Sequence, residues 1–179
     1  MTEEIAVGFF GKIPSRGDFV RAGLSRDFTL AWDDWLQAVL PACRRLIGEN
    51  WDTVWLETRP WRFTLPVGQC GPRPIVGLFL PSVDRAGRYF PLTIAAEGAI
   101  DGICFLDEAE PLGLDAVAGA YAPEGLLAQL AKIAQPRRSA TRPITAGRWW
   151  RGMGLLAATG ALIHESLPDA VTLAGMLDP

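Results

Sequence analysis

The hydrophobic pattern divides the chain into short apolar runs that suit buried strands and one long stretch that suits an amphipathic helix. The clearest strand pair is Ile75–Leu80 and Leu92–Ala96, which flank the polar, turn-rich segment Ser82-Val83-Asp84-Arg85-Ala86-Gly87-Arg88. Runs of that length bounded by Pro and Gly predict two strands joined as a hairpin with a long loop. Gly87 can supply the positive φ of the turn, while Pro81 and Pro91 cannot donate to a ladder. Pairing is therefore expected to loosen near the tip, leaving a stiff, charged loop beyond the sheet.

Ile5–Phe10 reads as another short strand and runs into Gly11-Lys12-Ile13-Pro14-Ser15-Arg16-Gly17-Asp18, a loop whose Gly and Pro residues fix turns. The long helix follows. Phe28, Trp32, Trp35, Leu36, Val39, Leu40, Cys43, Leu46 and Ile47 recur at spacings of three and four, which places Trp32 and Trp35 in the core. Ser25 is its N-cap and Gly48 its stop. Pro41 removes the hydrogen bond to the Gln37 carbonyl, so a kink or two abutting helices are expected.

Beyond it, Trp51–Leu56 adds a helical turn or two, Trp61–Leu65 is a strand and Gly68–Pro74 a loop. Asp101, Asp107, Glu108, Glu110, Asp115 and Glu124 make an acidic segment with no clear element. Leu126–Ile133 reads as a short helix, Trp149-Trp150 as the half-buried start of a strand and Ala161–Ile163 as a last strand. Asp169–Leu177 is a closing helix, capped by Asp169 or with Pro168 at its first position. The reading amounts to five or six strands and three or four helices, with two strands placed consecutively. That order predicts an α/β protein of the α+β type, a mostly antiparallel central sheet with helices on its faces.

Composition narrows the function classes. A length of 179 residues fits a single domain over residues 1–179, long enough for a sizeable core. No apolar run reaches the length of a membrane span, and the Met-Thr-Glu-Glu start lacks the layout of a signal peptide. Cys43, Cys70 and Cys104 are dispersed, which reads as reduced thiols in a cytosol. With His164 the only histidine, neither a metal centre nor a cofactor is expected. A net charge of −3 gives no general case for nucleic acid or membrane.

Motifs add little chemistry. Gly152-Met153-Gly154-Leu155-Leu156-Ala157 matches a dinucleotide fingerprint, but too few residues follow for the second half of such a fold. Arg16-Gly17-Asp18 spells an integrin tripeptide in a chain without an export signal. Ser15, Ser82, Asp18, Asp84 and His164 could in principle assemble a hydrolytic site, provided that a base lies within reach of a serine. Asp18 and Asp84 have the alternative role of stiffening the turns through backbone amides and arginines. From Gly125 to His164 there is no acid, but there are Lys132, Arg137, Arg138, Arg142, Arg148 and Arg151. These read as a solvated basic stretch facing the acidic segment, or else as a dock for an acidic or phosphorylated partner.

Four blocks carry a family resemblance: Gly8-Phe9-Phe10-Gly11-Lys12-Ile13-Pro14-Ser15-Arg16-Gly17-Asp18-Phe19, Trp32-Asp33-Asp34-Trp35-Leu36-Gln37, Trp61-Arg62-Phe63, and Pro81-Ser82-Val83-Asp84-Arg85-Ala86-Gly87-Arg88-Tyr89-Phe90-Pro91-Leu92. In this order they resemble the TagF (ImpM) family of type VI secretion accessory proteins. The resemblance implies a longin- or profilin-like α/β sandwich and a cytoplasmic, non-enzymatic regulator. Such a regulator would repress assembly of the apparatus after translation by engaging its forkhead-associated scaffold protein. The two polar loops, through Lys12, Ser15, Arg16, Asp18, Ser82, Asp84, Arg85 and Arg88, are the candidate partner surface. The alternative is a hydrolase-type enzyme that uses the same loops.

Overall fold

The computed structural model describes residues 5–98, 102–134, 143–154 and 160–178. Its strands are β1 (Ala6–Gly11), β2 (Val20–Ala22), β3 (Trp61–Leu65), β4 (Ile75–Leu80), β5 (Leu92–Glu97), β6 (Gly147–Trp150) and β7 (Leu162–His164). They form one seven-stranded sheet in the order β2-β1-β5-β4-β3-β6-β7, with every neighbouring pair antiparallel. The helices are α1 (Arg26–Ile47), α2 (Trp51–Glu57), α3 (Gly102–Val117), α4 (Pro123–Ile133) and α5 (Ala170–Leu177). The architecture is an α+β sandwich around an antiparallel sheet, as the order of elements predicts.

The central strands β4 and β5 are buried on both faces, which explains why they read as unbroken apolar runs. Strand side chains alternate between faces. Phe10, Phe63, Phe79, Ala95 and Trp149 point to one side, where they pack with buried residues of α1, α2 and α5. Phe9, Val76, Leu78, Leu80, Ile94 and Trp150 point to the other, against α3 and α4. Trp32 anchors the first layer. Its ring stacks on Phe63 at 4.8 Å and on Phe28 at 5.5 Å, and its Nε1 donates to Thr93 Oγ1 at 2.8 Å. Gly77 faces the Phe63 ring, and a methyl group there would collide with it.

Of the two expectations at Pro41, two abutting helices do not occur: α1 runs through it as one helix of 22 residues. Pro41 and Gln37 both lie on the exposed side, so water can take up the freed Gln37 carbonyl. Ser25 caps the start, accepting from the Phe28 N–H, and Gly48 closes the end with φ 70°. Trp35 sits at the rim and not in the core. It is half-buried, and its Nε1 donates to the Pro168 carbonyl at 2.8 Å.

Three further expectations change. The sheet has seven strands, not five or six, because β2 is only three residues long and leaves no periodicity to read. Trp149 and Trp150 are buried, one on each face of the sheet, and not half-exposed. The acidic segment contains α3, whose apolar stripe of Phe105, Leu106, Ala109 and Ala116 is interrupted by Asp107 and Glu110. Both acids turn toward Arg62, which is fully buried on β3: Nε donates to Glu110 at 2.6 Å and Nη1 to Asp107 at 2.5 Å. The fingerprint residues 155–157, the arginines at 137, 138 and 142, and Asp101 lie outside the described residues.

Replacing Trp32 with Ala is expected to cost about 3–5 kcal/mol, as truncation of a buried aromatic does. Trp35→Ala should cost clearly less, because its ring is only half-buried. Urea denaturation of the two variants checks the ranking; equal losses would contradict the assigned facing of α1.

Candidate functional site

Strand directions decide where the two polar loops meet. β5 pairs antiparallel with β1 on one side and with β4 on the other, so β1 and β4 run parallel and end at the same edge of the sheet. Gly11, Leu80 and Leu92 mark that edge: Leu92 pairs with Gly11 in one ladder and with Leu80 in the other. The loop that leaves β1 and the loop between β4 and β5 are therefore side by side. The Arg85 N–H donates to the Arg16 carbonyl at 2.9 Å, and the Arg88 guanidinium donates to the Gly17 carbonyl.

Asp84 organises both loops. Its carboxylate is buried and accepts from the Ala86 and Arg88 N–H groups at 2.9 and 3.0 Å, closing the turn in which Gly87 adopts φ 78°. The other oxygen takes Lys12 Nζ at 2.9 Å and Arg88 Nε at 2.7 Å. Burial alone would raise the carboxyl pKa. The hydrogen bonds from Arg88, Lys12 and Ala86 outweigh it and hold the group well below the ordinary carboxylate range. Lys12, itself buried, lies over the Phe19 ring at 5.0 Å.

The eight predicted residues thus fall into two groups. Lys12, Ser82 and Asp84 are buried and work inside the loops. Ser82 holds its loop by its carbonyl, which accepts from Trp55 Nε1 at 2.9 Å and from the Phe90 N–H at 3.1 Å. Arg88 is largely exposed but ties Asp84 to Gly17, so it also braces the loops. Ser15 donates to the Tyr121 carbonyl at 2.9 Å, which docks the first loop against the start of α4. Arg16, Asp18 and Arg85 face solvent. The Arg16 guanidinium lies 3.6 Å from Glu124, with both side chains exposed, a pairing of small energetic weight.

The same geometry bears on the hydrolytic alternative. His164 lies on β7, three strands from β4 and about 14 Å across the ladder at the usual strand spacing. The Ser82 and Ser15 hydroxyls face carbonyl oxygens, and a carboxylate locked by two cations is a poor base. The two buried thiols are also unactivated: burial pushes Cys43 up to about 11 and Cys70 up to about 12.

Phe19 escapes notice in the sequence. It is half-exposed, packs edge-on against Phe90 at 4.7 Å and stacks on Phe10 at 5.9 Å, and stands beside the exposed arginines as an apolar platform. Its only signal is position, an aromatic residue directly after Asp18 where the loop should turn polar.

Fold and site define a sandwich that presents a braced, arginine-bearing loop surface at one edge of its sheet. The family model described as TagF N-terminal domain, type VI secretion system-associated, matches residues 8–133, and the chain belongs to that family. Among solved structures, PA0076 from Pseudomonas aeruginosa PAO1 is similar, with a TM-score of 0.80 and 28% sequence identity. The match covers 96% of this chain and 94% of that one. No curated protein matches the chain by sequence. Among the described residues, no helix is long and apolar enough to cross a membrane.

Asp84→Asn should destabilise the fold by about 3 kcal/mol, because two cations lose the buried negative charge they share. The lowered pKa fixes the sign of the pH dependence. The Asp84 contribution is complete above the unfolded value of about 4 and is lost as pH falls below it toward the folded value. Denaturation curves of wild type and variant should therefore be furthest apart at neutral pH and converge in acid. A gap that stays constant down to the lowest accessible pH would show that the carboxylate charge is not what holds the loops.

Proposed function

We propose that this chain is a non-enzymatic, cytoplasmic regulator that represses type VI secretion system assembly after translation by binding a component of the apparatus. The forkhead-associated scaffold protein is the partner that the family resemblance indicates. Family membership supports the secretion role, and the Asp84-centred brace supports a binding surface. A loop pair fixed by a buried carboxylate can present Arg16, Arg85 and Phe19 with little ordering cost on association. Arg is well suited to bidentate contact with acidic groups, and a half-exposed aromatic is a common interface anchor.

The brace dictates which residues test the idea. Arg88→Glu would set a second carboxylate against Asp84 and disturb the fold, whereas Arg16 and Arg85 carry exposed side chains. The Arg16→Glu, Arg85→Glu double variant is expected to keep its thermal midpoint within a few degrees. It should lose capture of the purified scaffold protein and release secretion from repression in cells. A folded double variant that still binds and represses would remove these residues from the partner surface.

A further inference from the structure

Away from the loops, a cleft of about 450 Å³ opens beside α2, β6 and α5. Its lining includes Asn50, Thr53, Glu57, Arg59, Arg151 and Asp178. The volume lies within the roughly 300–1,000 Å³ usual for small-molecule sites.

Arg151 is held in place there. Its guanidinium lies over the Trp61 ring at 4.5 Å, and one Nη donates to the Met176 carbonyl at 2.7 Å. Its Nε is buried and has no hydrogen-bond partner among the described residues. Burial first, and then the positive charge of Arg59, lower the pKa of the guanidinium. The buried cations Lys12 and Arg62 each meet a carboxylate, but neither Arg59 nor Arg151 lies within 4.0 Å of one among the described residues. Two arginines thus share a cleft wall that also carries Glu57 and Asp178, with one guanidinium oriented and partly undonated. A guanidinium carries five N–H donors, so both arginines keep donors for an anion that enters the cleft.

We propose that Arg59 and Arg151 form an oxyanion site that takes the phosphoryl or carboxylate group of a small polar molecule. Asn50 and Thr53 supply neutral hydrogen-bonding groups on the wall. Glu57 and Asp178 can accept from hydroxyl or amino groups, which favours a ligand that carries these beside its anionic end. The site is separate from the loop surface and does not depend on the partner reading.

Side-chain Nε–H resonances of nitrogen-labelled protein, titrated by NMR with sodium phosphate and separately with sodium acetate at constant ionic strength, provide the test. A saturable shift of the Arg151 resonance is expected with at least one probe. Saturation by phosphate alone identifies a phosphoryl site, and saturation by acetate alone a carboxylate site. Arg59→Ala removes an exposed side chain and should leave the unliganded melting temperature unchanged. It should weaken the saturable response about tenfold or more. A linear, non-saturating response to both probes, or an Arg59→Ala variant that titrates like wild type, would overturn the proposal.

Discussion

The contact on which the rest of this structure depends is the seat of Trp32 on the sheet. One side chain of α1 touches Phe63 of β3 and Trp149 of β6 by stacking, and Thr93 of β5 by a hydrogen bond. A helix attached to three strands through one ring cannot slide along the sheet without losing all three contacts. Interiors are packed too densely to absorb such a shift, so the register of α1 is fixed by this residue. α2 and α5 then close the same layer, with Trp55 donating into the β4–β5 loop and α5 covering the far end of α1.

The loop surface inherits its rigidity from that layer. Trp55 holds Ser82, Ser82 begins the turn that Asp84 closes, and Asp84 gathers Lys12 and Arg88 from both loops. A surface built this way puts its charged brace inside and leaves Arg16 and Arg85 outside. Tolerance to substitution should divide along the same line. Buried ionic groups are costly to unpair, while exposed ones contribute little to the fold and are available for recognition.

The opposite layer uses the same device for a different end. Arg62 sits in the middle of the sheet with two carboxylates of α3 against it, and the Gly154 N–H also donates to Asp107 at 3.1 Å. This cluster joins α3 and the segment after β6 to β3. Residues 143–154 and 160–178 lie outside the span that the family model matches, yet β6 and β7 extend the same sheet.

Local pattern determined a large part of this protein. The apolar runs at Ile75–Leu80 and Leu92–Ala96, the stripe of α1, its Ser25 and Gly48 ends, and the Asp169 cap all follow from short-range sterics and hydrogen bonding within a few residues. The four motif blocks sufficed for the family, and Lys12, Asp84 and Arg88 were legible as members of two charged loops. Tertiary structure decided which of those charges face inward. Nothing local says that Lys12 meets Asp84 across 72 residues, or that Arg62 turns Asp107 and Glu110 into the interior and thereby masks the stripe of α3. The facing of Trp35, the three-residue β2 and the sharing of one cleft by Arg59 and Arg151 are likewise set by which elements become neighbours. Pairing between distant segments depends on the whole packed arrangement, and a linear pattern does not carry it.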